Sequence, residues 1–336
     1  MVRSDAAKES ILVDAGTPML FTIMRDRLMQ ILAGALPPGV LKTDREVAGI
    51  HQSPEGATLR FVDGSVTGPY DLVVGADGIK GAARAAVRGE KVSEAGTFSV
   101  DKKDNAIYSG IRIQFGVAPG GYRPRGCEKE VHQWFGGDTY GLSATYGGIE
   151  DKQFEMIAAV YHDGGSKYEN AEWNTVSAKE ACLERLKSRG FPQEIKAVAD
   201  ASDRFFELGI YYRNPLEGWI SSGERQVVLL GDAAHAMPPN LGQGANQAIQ
   251  DAYCLAECLA KLNRGSYDGS LSGALQDYER RRKTETSQVL AKSVVVGAIE
   301  TLGGGVGEFF RDNFFFGMWK TGAAERVFMD GAMPKV

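Results

Sequence analysis

This chain is poor in the side chains that mark metal sites, disulfide frameworks and hydrolytic centres. Its 336 residues hold four cysteines, Cys127, Cys182, Cys254 and Cys258, and four histidines, His51, His132, His162 and His235. None combine at metal-ligand spacing. Cys254 and Cys258, four apart, share a helical face but do not form a CxxC pair. This leaves out a zinc centre and a disulfide scaffold, and the cysteines read as reduced and structural. No Ser-His-Asp set and no nucleophile elbow occurs, which leaves out nucleophilic hydrolysis. The formal net charge is −5. The one basic run, Arg280-Arg281-Arg282-Lys283, reads as a solvated helix face, so nucleic acid is not an expected partner. There is no signal peptide and no apolar run of about eighteen residues, so no membrane span is expected. The location reads as cytoplasmic, or organellar if a transit peptide lies upstream. A GxGxxG fingerprint is also missing. Gly303, Gly304, Gly305 and Gly307 come near it, but they follow no strand and lack its spacing.

What is present is concentrated between Val227 and Asp251, VVLLGDAAHAMPPNLGQGANQAIQD. Gln226 to Leu230 is a β-branched and Leu-rich run suited to a strand covered on both faces. Gly231 and Asp232 place a carboxylate at its C-terminal end, the edge where open α/β sheets bind ligands. Pro238 and Pro239 stiffen the loop, and Gly242-Gln243-Gly244 permits close backbone approach. From Ala245 and Asn246 onward, small and apolar residues recur at helical spacing. A Gly-rich loop opening a helix suits an anion or an electron-rich heterocycle, because the first N–H groups are unpaired and carry the positive end of the dipole. A second string, Tyr70 to Gly78, ends a strand in Gly-Ala-Asp-Gly. Asp77 there suits an N-cap and Gly78 a turn, with Lys80 and Arg84 on a short following helix.

Taken together these strings resemble the FAD-dependent class A flavoprotein monooxygenases, the aromatic hydroxylases and zeaxanthin epoxidases. The resemblance implies that Gly231 and Asp232 hold the FAD ribityl chain. It also implies that Gly242, Gln243 and Gly244 stabilise negative charge on the reduced flavin, with Pro239, Ala245 and Asn246 in the same cofactor-binding set. Asp77, Gly78 and Arg84 match the family's DGxxSxxR, with Gly81 where the family has Ser. Arg25, Leu28 and Leu32 match its hRxxLxxxL helix start, in which the arginine reaches FAD. Leu28, Ile31, Leu32 and Leu36 share one helical face, which core packing also explains. Arg213-Asn214-Pro215-Leu216 with Trp219 matches RxPLxxW, with Arg213 near the active-site mouth and Trp219 as packing. His235, in GDAAH, reads as packing beside the flavin loop. The activity so implied uses NAD(P)H and O2 to hydroxylate or epoxidise a small apolar, aromatic or polyene substrate through a flavin C4a-hydroperoxide. Pro238 and Pro239 would shape the reacting face, with no side-chain nucleophile.

The family opens with a GxGxxG βαβ unit for the ADP half of FAD, which needs about 30 residues or more. Only 24 residues precede Arg25, so the chain reads as a member beginning after that unit. The expected fold is α/β (α+β): an incomplete Rossmann-like FAD-binding domain over 1–90 and 212–285, an inserted mixed β-sheet substrate domain over 91–211, and a C-terminal helical segment over 286–336. A hairpin is expected at Thr58–Val66, turning at Asp63-Gly64. Strands are expected over 107–116, 130–135, 140–146 and 154–161, and helices over 177–189, near 192–199, over 245–263 and over 271–301. Tyr108, Gln114, Trp134, Tyr146 and Tyr161 are candidates for the substrate wall, although alternating strand positions cannot all face one pocket. The aromatic tail GEFFRDNFFFGMWK reads as core or lid, with peripheral membrane contact as the other reading. Arg326 to Pro334, Tyr108-Ser109-Gly110 and MPPNLGQG look nearest to zeaxanthin-epoxidase-like members. Two other readings stay open: a catalytically incompetent relative that binds an apolar ligand or partner, and a flavin oxidoreductase without oxygen insertion.

Overall fold

The computed structural model describes residues 2–3, 8–11, 22–89, 106–121, 131–148, 152–164, 175–214, 217–223 and 226–330. Cys127, Pro215, Leu216 and the segment 331–334 lie outside the described residues. The chain divides into two compact units. One comprises Met1–Leu41, Tyr108–Ile210 and Gly297–Arg326; the other comprises Lys42–Ile107, Tyr211–Val296 and Val327–Val336.

The first unit is built on a seven-stranded sheet with the order β1-β2-β8-β9-β10-β7-β11. Its strands are β1 (Val2–Arg3), β2 (Lys8–Ile11), β7 (Ile107–Pro119), β8 (Val131–Gly136), β9 (Thr139–Gly147), β10 (Gln153–His162) and β11 (Arg204–Tyr212), the last reaching into the second unit's range. Pairing is antiparallel through β10–β7, β10–β9 and β8–β9. The strands expected in the insert are thus present, with bounds that differ by one to three residues. Two helices, α3 (Thr175–Ser188) and α4 (Gln193–Ala201), cover one face. Ala178, Cys182, Leu186, Ile195 and Val198 meet Ala118, Trp134, Ile157, Ala159 and Phe205 there in one apolar cluster. Each fully buried aliphatic side chain there contributes about 1.5–3 kcal/mol.

Helix α1 (Arg25–Gly34) joins this unit at its foot, where the Met24 N–H donates to the Gly147 carbonyl at 2.8 Å. It buries none of its residues, and Ile31, Leu32 and the following Leu36 are exposed. The expectation that these residues share a packed face is therefore corrected: the face exists, but within the described residues nothing covers it. The aromatic tail forms α8 (Gly305–Lys320), which divides its residues. Phe315 stacks on Phe135 at 4.8 Å between centroids, and Arg311 donates to Leu302 O at 2.9 Å. Val306, Phe309, Phe310 and Phe316 stay exposed. The tail is thus core on one side only.

The second unit holds two small sheets. The antiparallel hairpin set β3 (Val47–Ser53), β4 (Gly56–Phe61) and β5 (Val66–Tyr70) contains the expected Asp63-Gly64 turn. The parallel pair β6 (Val73–Gly75) and β12 (Val227–Leu229) sets Val227 opposite Val73 and Leu229 opposite Gly75. The helices are α2 (Ala82–Val87), the one-turn α5 (Asp232–His235), α6 (Gly244–Asn263) and most of α7 (Leu271–Glu300). A last helix, α9 (Ala323–Asp330), straddles the unit boundary. Val227, Val228, Leu229, Trp219, Cys254, Leu255, Cys258, Leu275 and Tyr278 form the core. Cys182, Cys254 and Cys258 are buried and free, and no helix among the described residues is long and apolar enough to cross a membrane.

Candidate functional site

The two motif strands lie side by side, so their C-terminal turns, Ala76–Gly78 and Gly231–His235, come together in the second unit. The first turn is self-contained. Asp77 is not the N-cap of α2, a place taken by Gly81, but its Oδ2 accepts the Ala83 N–H in the first turn of that helix at 2.9 Å. A Cβ on Gly81 would lie 1.9 Å from the Asp77 carboxyl carbon. In this structure the Asp77 side chain therefore occupies the space that a side chain at position 81 would need.

Arg84 is placed as a brace of the second turn. Its guanidinium is buried, donating from Nε to Ala233 O at 2.9 Å, from Nη2 to Ala234 O at 2.5 Å and from Nη1 to Glu217 at 2.7 Å. Burial, and then the nearby Arg213, lower its pKa from the usual arginine value, against the Glu217 carboxylate. Arg213, also buried, ties the two turns together. It donates to Ile79 O through Nη2, and its backbone N–H meets Ala236 O at 3.0 Å.

The second turn starts at Gly231, whose φ of 58° with ψ −142° no side chain adopts cheaply. Its N–H donates to Asp251 Oδ2 at 2.9 Å, and His235 Nε2 meets the same oxygen at 2.5 Å. Arg282 Nε donates to Asp251 Oδ1 at 2.8 Å and reaches Gln250 and Gln247 as well. Asp251 and Arg282 are almost fully buried. Burial alone would raise the Asp251 pKa, but hydrogen bonds from His235, Arg282 and the Gly231 amide hold it below the usual carboxylate range. Arg282 therefore does not lie on a solvated face. Sequence reasoning missed this ion pair. The available signal was a charge on each buried stripe: Gln247, Gln250, Asp251 and Cys254 on α6, and Leu275, Tyr278, Arg282 and Thr286 on α7.

Asp232 itself stands apart from this network. Its side chain is solvent-exposed and makes no hydrogen bond among the described residues. Protein atoms nevertheless crowd its carboxyl, and that desolvation raises its pKa, with only His235 opposing. A Cβ on Gly244 would meet Asp232 Oδ1 at 4.0 Å and nothing nearer, while one on Gly242 would meet nothing within 4 Å. The carboxylate therefore stands beside the start of α6, a helix of 20 residues. Ala245 and Asn246 are exposed there, and Gln243 is buried. Pro238 is buried, its carbonyl accepting from Ser293 at 2.6 Å, and Pro239 is exposed at the start of a short 3-10 turn.

The wall candidates separate by strand face in the first unit. Gln114 is buried, donating to Glu207 at 2.9 Å, and Trp134 belongs to the cluster beneath α3 and α4. Tyr161 also reaches Glu207, at 2.9 Å. These three face the helices, so they are not exposed on the opposite sheet face. Tyr146 alternates with Thr145 and lies on that opposite face, half-buried. Tyr108 donates to Asp163 at 2.5 Å. Arg25 is exposed in the first turn of α1.

A family model described as an FAD binding domain matches residues 165–293. The chain has the mixed α/β fold of FAD-dependent aromatic hydroxylases: the structure of Klebsiella pneumoniae HpxO complexed with FAD and uric acid has a TM-score of 0.61 at 20% identity, over 86% of this chain and 65% of that one. A salicylate hydroxylase substrate complex has a TM-score of 0.60 at 21% identity, over 92% and 75%. Aurachin C monooxygenase/isomerase of Stigmatella aurantiaca is 28% identical over 85% of this chain and 66% of its own length. The chloroplastic zeaxanthin epoxidase of Nicotiana plumbaginifolia is 31% identical over 81% of this chain, which spans 38% of that protein. The chain belongs to the FAD-binding class A flavoprotein monooxygenase family, with the aromatic hydroxylases and zeaxanthin epoxidases.

Proposed function

We propose that this chain carries the flavin-contacting and substrate-sheet parts of a monooxygenase that uses FAD, NAD(P)H and O2 to hydroxylate or epoxidise a small apolar, aromatic or polyene substrate. The observation that carries the reading is the exposed Asp232 carboxylate, without a hydrogen bond among the described residues, beside the open Gly-rich start of α6. The residues suit the group. Ribityl hydroxyls are donors, and an ionised carboxylate is acceptor-only. The open space over Gly242 and Gly244 admits a flat ring close to the backbone.

Bound there, FAD supplies the electron and oxygen chemistry that no side chain of this chain offers. Asp232 accepts the ribityl hydroxyl protons and sets the ring's position along the turn. The free N–H groups at Gly244, Ala245 and Asn246 stabilise negative charge on the reduced ring, aided by the helix dipole. Pro238 and Pro239 present a wall without N–H donors, and the Ser293 bond to the Pro238 carbonyl fixes it. Asp77, Gly78, Arg84 and Arg213 act by holding the two turns together. On the sheet, Tyr146 is the wall candidate that lies on the face without α3 and α4.

The test is a visible absorption spectrum of the purified chain after incubation with FAD and desalting. A retained flavin spectrum, followed by substrate-stimulated NAD(P)H oxidation with an oxygenated product, is the expected result. A colourless protein at saturating FAD would contradict the reading.

A further inference from the structure

The four-residue helix α5 is too short to hold its own shape, because one helical turn fixes several residues for few bonds. It is nevertheless gripped at both ends by a single atom. Asp251 Oδ2 takes the Gly231 N–H at 2.9 Å before the helix and His235 Nε2 at 2.5 Å at its last residue. Between those two points sits Asp232, whose own carboxylate makes no bond among the described residues. The other oxygen of Asp251 receives Arg282 Nε at 2.8 Å, and Arg282 is itself held by Gln250 at 3.1 Å and Gln247 at 2.6 Å. The clamp is thus anchored on two long helices, α6 and α7, and it is dry, since Asp251, His235 and Arg282 are each at most 1% exposed.

We infer that Asp251 is the positioning residue of this site: with His235 and Arg282 it clamps both ends of the turn that carries Asp232, and so sets the affinity for FAD. The inference rests on the reading of Asp232 as the ribityl contact. Charge burial of this kind is a weak source of net stability, because desolvation offsets most of the attraction. A fixed geometry gives it a use: a small displacement of a contacting group weakens the contact steeply. Arg84 braces the carbonyls of the same turn from the other side. The two sets therefore share one object, the backbone from Gly231 to His235.

The test compares the chain with Asp251→Asn, which keeps the shape but presents an amide N–H₂ or a weaker acceptor to Arg282 and His235. Amide hydrogen exchange is followed without FAD over 231–236 and, as a reference, over 255–262 in the far half of α6. FAD affinity is measured separately by titration. The expected result is exchange faster by about tenfold or more confined to 231–236, and FAD binding weaker by about tenfold or more. Exchange that rises equally in both segments, or that does not change, would overturn the inference. If Asp251→Asn does not fold, His235→Ala releases one end of the clamp and must show the same selective rise. A parent chain that takes up no FAD would remove the functional reading, while the exchange data would still decide whether the clamp exists.

Discussion

The two compact units handle buried polarity in opposite ways. In the sheet unit, the half-buried Glu207 gathers Arg112 at 2.6 Å, Gln114 at 2.9 Å and Tyr161 at 2.9 Å within a sheet already fixed by its ladders. In the other unit, the parallel sheet described has only two strands, and the loops beyond it are shaped by side chains: Arg84, Arg213, Asp251, His235 and Arg282. The first arrangement adds polar groups to a scaffold, whereas the second uses them as the scaffold. Both units bury charge, Arg112 and Glu155 on paired strands of the sheet and Arg84, Asp251 and Arg282 beside the turns, but only in the second does it shape loops, next to the exposed carboxylate of Asp232.

Breaking the second scaffold should have the largest effect. Asp251→Ala leaves Arg282 buried without its carboxylate, at a cost of about 3–5 kcal/mol in a denaturant titration. A loss under about 1 kcal/mol would mean that the network is ornamental. Ile157→Ala, in the sheet unit's core, should cost about 2–5 kcal/mol yet leave FAD affinity unchanged, because it touches packing alone. That pair of variants separates stability from positioning.

Acid should affect both units in one pH window. Asp251 and Glu207 each have a pKa below the usual carboxylate value; burial raises it in both, and the hydrogen bonds they accept more than reverse that. A lowered folded-state pKa gives stability that is full above the unfolded value near about 4 and is lost as pH falls through the folded one. Stability should therefore decline below about pH 4. Glu207→Gln should flatten the decline seen by exchange in the sheet strands, and Asp251→Asn the decline seen at 231–236. Swapped responses would contradict the assignment of each network to its unit. The smallest effect belongs to the exposed Arg189–Asp138 fork at 3.0 Å, where Arg189→Ala should cost about 0.2–1 kcal/mol and less in high salt.

Much of the frame was legible because it is written in local patterns. The run Val227 to Leu229 followed by Gly231-Asp232 had to be a strand meeting a turn, and Asp63-Gly64 between alternating segments had to be a hairpin. Three things were not legible. The apolar stripe of α1 announces a face but cannot say what covers it. Gln114 and Trp134 sit on strands whose inward side is decided by α3 and α4, which lie far along the chain. Arg282 sits in a basic run that looks solvated, and only Asp251, brought to it by the packing of two helices, turns it inward. Asp77 and Arg84 were found by pattern, and the structure places both in hydrogen bonds within the two turns, whereas the Asp232 side chain makes none among the described residues.

Stability and FAD affinity measured on the same Asp232→Asn preparation test the central claim most directly. Asp232 is exposed and makes no hydrogen bond among the described residues, so Asp232→Asn should leave the chain about as stable as before. FAD binding should fall by about tenfold or more, since the amide is a poorer acceptor for the ribityl hydroxyls. Unchanged FAD affinity, or a loss of affinity that only follows a loss of stability, would contradict the account.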